Sequence, residues 1–433
     1  MYLIIRKMIS QTYSFSIFAI CLFIASMANG NSIQPRVLLH YAGDFLGGAA
    51  ADVFARHKEF VKHGLTSILL VDDGSKIAKK LAESGLPFAS LNSDHTYEEL
   101  FESMRDLCIK HKLNTIFCAS NNDLQLQVAV DIKKMLGVKL IYVEHNQIDL
   151  YKPNNLKVYG EITNKIPLSL YKVLTKTAGF DGFIGVNKKI VNAIEEQQVR
   201  TPINLRVKNV AMIKPFVDEE KFLSFHTSET REHYFKRCHG IVLPEDSQII
   251  TMLAGFYAAK RHDTVLKALV YLKEQGFTNV RVVFGGRFGT HGQVETEALA
   301  KRLGVSDQVC FLDYVHDTEA LLYHSDIHVL SSRTETVGLA TVEAGLMKKP
   351  VLGTAGTGSD DIIMHGQTGF LCKPNDALDM AHYLALLLTD KGLREKMGLA
   401  CYEFMHNTFS GDKLYTETVD FVSKILDSST VKL

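Results

Sequence analysis

The sequence predicts an α/β protein of two Rossmann-like, doubly wound parallel-sheet domains facing each other across a cleft. Three observations predict it. From Arg36 onward, short apolar runs alternate with helix-period segments. The alternation breaks around Met212–Lys221 and then restarts. The chain has 433 residues, enough for two domains of roughly 100–200 residues each. Apolar runs alternating with helices are the pattern of a parallel sheet covered on both faces.

The elements follow in order. Val37–Tyr41 is the first apolar run, followed by Gly43, Gly47 and Gly48 and then a helical stretch, Ala51–His63. Ser67–Val71 comes next and is closed by the turn Asp72-Asp73-Gly74. Thr115–Cys118, Leu140–Val143 and Gly182–Val186 complete the first set of strands. The second set is Gln248–Ala254, Val280–Phe284, Val309–Leu312, Ile327–Leu330 and Pro350–Leu352, with helices such as Thr264–Gln275 and Gln293–Leu303 between them. The first domain is therefore expected over residues 36–212 and the second over 213–410. Residues 411–433 hold a last helix, Asp412–Leu426, free to pack on either domain, the first included.

Composition excludes several classes. Lys plus Arg total 48 and Asp plus Glu total 48, so no bulk charge draws the chain to nucleic acid. Hydrophobic residues make up 46% and charged residues 22%, which argues against a disordered chain. The 17 His show no zinc-type spacing. Seven widely spaced Cys without a CxxC pair read as buried free thiols of a reducing compartment.

Residues 1–35 stand apart. No charge occurs between Met8 and Pro35; Arg6 and Lys7 precede an apolar run over Phe15–Ala28, and Ala28-Asn29-Gly30 follows. That order fits a secretory signal peptide, and the run also fits an uncleaved membrane anchor. Met8 and Met27 offer later starts. The protein is accordingly expected to be membrane-associated through residues 8–35, exported if the segment is cleaved, or cytoplasmic if translation begins later. Export would conflict with the free-thiol reading of the cysteines.

Ligands of open parallel sheets bind beyond the carboxyl ends of the strands, so chemistry belongs in the loops after strands. The stretch Ser331–Ala344 follows the run Ile327–Leu330, and Gly338 falls near a helix start, where free N–H groups and the dipole suit a diphosphate. Glu335 precedes that helix and Glu343 lies inside it. Eight helical residues span about 12 Å, enough for one carboxylate on each side of a diphosphate, and each can accept two hydroxyl hydrogens. Without a ligand, the same pair is simply a capping Glu and a surface Glu.

Glu335-x7-Glu343, set in SSRTETVGLATVEAGLMKKPVLGT, resembles the Glu-x7-Glu motif of retaining GT-B glycosyltransferases of the group 1, or family 4, type. His365–Asp376 (HGQTGFLCKPND), Phe311–Val315 and Leu322–Asp326 resemble neighbouring segments of that family. The resemblance covers most of residues 36–410 and is tight over 309–376.

It implies a GT-B fold and a metal-independent hexosyltransferase that moves a sugar, with retention, from a nucleotide-sugar such as a UDP- or GDP-sugar to a glycan or lipid-linked hydroxyl. No cofactor is implied. By it, Glu343 holds the donor ribose and Glu335 the sugar hydroxyls, while Gly338 and Leu339 offer backbone N–H groups. Gly285 and Gly286 line the donor cleft, although a tight turn alone would look the same. Lys260 falls where the family has a diphosphate-binding Lys; Phe256 stands near the place of a family Arg, for which Arg261 or Arg287 would have to compensate. Gly47 and Gly48 match a glycine loop, with Ala50 where Glu is common. His145, in Val143-Glu144-His145-Asn146, matches a His facing the donor sugar. Asn121 and Asn122 read as turn residues. Two other functions stay open: a GT-B-like nucleotide-sugar epimerase, and a non-catalytic sugar-nucleotide or glycan-binding protein.

Overall fold

The computed structural model describes residues 33–40, 48–119, 122–145, 179–198, 207–244, 246–287 and 291–428. Two parallel sheets form. The first contains β1 (Val37–His40), β2 (Ser67–Asp72), β3 (Phe88–Leu91), β4 (Thr115–Cys118), β5 (Lys139–Glu144), β6 (Gly182–Gly185) and β7 (Val210–Met212), in the order β3-β2-β1-β4-β5-β6-β7. The second contains β8 (Gln248–Leu253), β9 (Val280–Gly285), β10 (Val309–Leu312), β11 (Ile327–Leu330), β12 (Val351–Thr354) and β13 (Gly369–Cys372), in the order β10-β9-β8-β11-β12-β13. Strands β1, β4, β6, β11 and β12 are buried at every residue, which is why they read as unbroken apolar runs.

Three strands lie outside the apolar runs of the sequence. β3 is a four-residue edge strand with no fully buried residue, too short and too exposed to stand out. β7 is a three-residue edge strand at the break in the pattern, and β13 opens on Gly369 just after a turn.

The helices of the first half are α1 (Gly48–Lys62), α2 (Lys76–Ser84), α3 (Tyr97–Lys110), α4 (Asp123–Leu136), α5 (Lys188–Gln198), α6 (Glu219–Leu223) and α7 (Arg231–His239). Then come α8 (His262–Glu274), α9 (His291–Arg302), α10 (Thr318–Tyr323), α11 (Leu339–Leu346), α12 (Ala377–Thr389), α13 (Lys391–Phe409) and α14 (Gly411–Asp427). Local signals fix their starts. Thr96 and Glu99 form a reciprocal capping box on α3, and the Asn122 side chain accepts from Leu124 N at 2.9 Å to cap α4. Asn122 is thus a capping residue; Asn121 lies outside the described residues.

The chain passes between the sheets twice. Residues 213–217 lead from β7 toward α6, and α14 returns to pack on α1. There Tyr415 stacks on His63 with ring centroids 4.1 Å apart and meets Phe60 edge-on at 6.0 Å. Residues 1–32, with the N-terminal apolar run, and Gly47 lie outside the described residues. Among the described residues no helix is long and apolar enough to cross a membrane. The six described Cys are free, and burial pushes the thiols of Cys108, Cys118, Cys372 and Cys401 up to about 12, which leaves them unreactive.

Candidate functional site

In the second sheet the strand order reverses between β8 and β11, and the loops leaving those two strands meet. Arg333 N donates to Ala259 O at 2.7 Å, and the Ser331 hydroxyl donates to Lys260 O and Arg261 O, each at 2.8 Å. This clamp brings Lys260 and Glu335 together: Lys260 Nζ lies 2.7 Å from Glu335 Oε2. Ser332 Oγ donates to the same oxygen at 3.1 Å, and Thr336 N donates to Oε1 at 3.2 Å. Both side chains are largely but not fully buried. The pair therefore sits at the switch point where open α/β sheets place their ligands.

Gly338 is the N-cap of α11, with φ +81°. A Cβ there would stand 2.8 Å from Leu330 Cδ2, so a side chain is disfavoured by both conformation and space. The N–H groups of Leu339 and the next residues begin the helix without a side-chain cap. Across the cleft, α1 begins at Gly48, where a Cβ would lie 3.7 Å from Leu339 Cδ1. Two helix N-termini, one from each sheet, thus approach at one place. The approach is held from the first sheet by Asn187, which donates to Thr336 O at 2.7 Å, and by Lys189, which donates to Gly356 O at 2.7 Å.

Glu343 lies on α11, half-buried. Burial pushes its carboxyl up to about 7; the nearby Lys221 and Lys80 pull it down, while Glu319 and Asp218 push it further up. Lys80 belongs to α2 of the first sheet and packs over the Phe54 ring at 3.9 Å, so Glu343 feels charges from both halves of the chain.

The glycines after β9 have a packing explanation: a Cβ on Gly286 would lie 2.3 Å from Ala254 O. Gly285 is the last residue of β9. Phe256 is a core residue, stacked on His262 at 4.7 Å and packed near Phe311. It leaves no cation at that position. Arg261, at φ +57°, is held by Asp263 at 2.8 and 3.0 Å. With Arg302 and Glu295 it lines a cavity of about 530 Å³ that neither Lys260 nor Glu335 lines. Arg287 is exposed.

His145 follows β5 and is reached from α1: its Nε2 lies 2.6 Å from Asp52 Oδ2. Asp52 is fully buried and also faces Arg56 and Phe216 N. Neither Asp52 nor Asn187 was marked by the spacing of charged residues in loops. A signal for Asp52 existed, since Asp52 and Arg56 stand one helical turn apart among the core-facing Val53, Phe54 and Phe60.

Among the described residues, one group with metal-ligand geometry forms, Glu59, His63 and Asp412. It lies at the opposite end of α1 from Gly48, and Lys62 Nζ contacts both carboxylates, at 2.8 and 3.4 Å.

Comparison with known proteins bears on the fold and on the second half of the chain. Residues 239–404 match the family model of glycosyl transferases group 1. N-acetyl-alpha-D-glucosaminyl L-malate synthase of Bacillus anthracis is 27% identical over 263 residues, 57% of this chain and 66% of that protein. D-inositol 3-phosphate glycosyltransferase of Corynebacterium diphtheriae is 28% identical over 46% of this chain and 47% of that protein. The matches thus span about half to two thirds of those relatives' length. The solved structure of Anabaena Alr3699/HepE with UDP and glucose superposes with a TM-score of 0.70 over 90% of this chain and 100% of that one, at 16% identity. A glycosyltransferase from Rickettsia africae gives 0.72 over 91% and 99%, at 18% identity. The fold is GT-B, and residues 239–404, in the second half of the chain, match the group 1 glycosyl transferase model.

Proposed function

We propose that the protein is a glycosyltransferase that moves a hexose, with retention, from a nucleoside-diphosphate sugar to a hydroxyl of a glycan or lipid-linked acceptor. The observation that carries the reading is the meeting of Lys260, Glu335 and the N-terminus of α11 at the switch point of the second sheet, opposite the N-terminus of α1. One of the sequence relatives is named D-inositol 3-phosphate glycosyltransferase, and the HepE structure was solved with UDP and glucose.

In this reading the diphosphate lies against Leu339 N–H and the cap at Gly338, with Lys260 as its ammonium partner and Glu343 on the ribose. Gly48 leaves room for the sugar, and Gly285 and Gly286 form the cleft wall. Glu335, released from Lys260, accepts sugar hydroxyls, and His145 approaches from the first sheet. Charge builds on the departing diphosphate in an oxocarbenium-like transition state. Lys260 and the helix terminus meet that charge in place, without a metal ion or a protein nucleophile, and the leaving phosphate takes the acceptor's proton. Association with a membrane through residues 8–35 would bring a lipid-linked acceptor to the cleft.

The test is release of free nucleotide from a panel of UDP-, GDP-, ADP- and CMP-sugars by the full chain and by Glu343→Ala. Turnover of one donor, lost in the variant, is expected. Binding without sugar transfer, or isomerisation of the sugar alone, would overturn the reading.

A further inference from the structure

The most unusual feature of the first domain is a charge network buried in its core. Asp52 and Arg56 are 0% and 1% exposed, on the face of α1 that packs against the sheet. Asp52 Oδ1 accepts Phe216 N–H at 2.6 Å and Oδ2 faces His145 Nε2 at 2.6 Å, while Arg56 Nη2 lies 3.2 Å from each oxygen. The guanidinium sits over the Phe216 ring at 4.5 Å, and its Nη1 contacts Thr418 Oγ1 of α14 at 3.4 Å. Burial alone would push the Asp52 carboxyl up, but Arg56, His145 and the Phe216 N–H together hold it below its usual value, so it is ionised. Apolar residues would fill the same space at no desolvation cost. The network is therefore explained by something other than stability.

We propose that Asp52 is a positioning residue for His145, fixing the ring so that Nδ1 is the nitrogen turned to the substrate. An ionised carboxylate only accepts, so His145 Nε2 must carry a hydrogen. In the uncharged form of the ring the lone pair is then on Nδ1. That atom is buried and has no hydrogen-bond partner among the described residues, which leaves it for a hydroxyl of a bound sugar. The same carboxylate is tied to both passages of the chain between the sheets, through Phe216 in the first and through Arg56 and Thr418 in the second. The orientation of the ring is thus set by how the two halves sit together. The hydrogen on Nε2 follows from the contact with the Asp52 carboxylate; its use in sugar transfer rests on the function proposed above.

The experiment is a long-range ¹H–¹⁵N spectrum of the full chain labelled at histidine, with His145 assigned from a His145→Gln variant. The Nε2–H form is expected. In Asp52→Asn the amide can keep its oxygen on Phe216 N–H and turn its NH₂ to the ring, and the spectrum should change to the Nδ1–H form. On the donor identified by the panel, the same variant should lose about a hundredfold in kcat, with KM unchanged within about threefold, as for a lost hydrogen-bond partner that counts mainly in the transition state. An Nδ1–H form in the unmodified protein overturns the proposal even if the variant does not fold. A changed tautomer with unaltered kcat overturns it as well. Absence of turnover by the unmodified protein on every donor would count against glycosyl transfer, and the spectrum would still decide the role of Asp52.

Discussion

Glu343→Gln separates what the site needs from what the fold prefers. Burial raises this carboxyl from its ordinary 4.5 to about 7, so the folded protein resists ionising it. Below pH 4.5 the group is protonated in both states and contributes no penalty. As pH rises from 4.5 to about 7, the unfolded chain ionises first, and stability is lost through that window and stays lost above it. At about 1.4 kcal/mol per pH unit the full loss approaches ~3 kcal/mol, an upper figure for a half-buried group. Gln keeps the shape and never ionises. The stability advantage of Glu343→Gln should therefore grow by about 2 kcal/mol between pH 5 and pH 8. Urea unfolding of both proteins at the two pH values measures it, because differences between variants are sounder than absolute values. The variant should at the same time lose donor turnover. A gap that is the same at both pH values would refute the reasoning, since the carboxyl would then ionise as freely in the folded chain as in the unfolded one.

Lys260→Ala should lower turnover by about 10²–10³-fold, the usual loss when one preorganised partner of developing charge is removed, and steady-state release of nucleotide reads it. Gly338→Ala should lose about 1–2 kcal/mol in urea unfolding, from the left-handed backbone at φ +81°, with further loss from the contact with Leu330. Gly358→Ala should be costlier, about 1–3 kcal/mol, because its Cβ would fall 1.9 Å from Thr336 O and drive the Glu335 loop away; unfolding and donor turnover should both report it.

How far the site could be read from sequence depended on where each residue sits. Buried parallel strands advertise themselves, and so did the loop after β11, because a Gly start and two carboxylates stand within one short segment. Edge strands β3 and β7 are short and exposed and carry no such signature. Residues that act through a long-range contact were silent. Asn187 supports the Glu335 loop from 149 residues away, and Asp52 reaches His145 across 93. No local spacing encodes either. Phe256 was legible as a missing cation, but only the packing on His262 and Phe311 shows that it belongs to the core.

That assignment of Phe256 sharpens the role of the Lys260–Glu335 pair. With Phe256 in the core and Arg261 held by Asp263, Lys260 is the cation placed beside the N-terminus of α11 and already bound to a carboxylate. In the proposed function a diphosphate must therefore take Lys260 from Glu335, and a sugar hydroxyl must then satisfy Glu335. The exchange favours the complete nucleotide-sugar over the nucleotide alone, because only the former offers both partners. Opposite charges about 4 Å apart near a protein surface interact by roughly 4 kcal/mol before solvation is counted, so the competition is a sizeable term. Glu335→Gln weakens Lys260's existing partner. Calorimetry with the free nucleoside diphosphate of the identified donor should show tighter binding, by about three- to tenfold, whereas turnover of the sugar donor should fall. Weaker binding of the free diphosphate to Glu335→Gln would show instead that Glu335 holds Lys260 in place for the phosphates rather than competing with them.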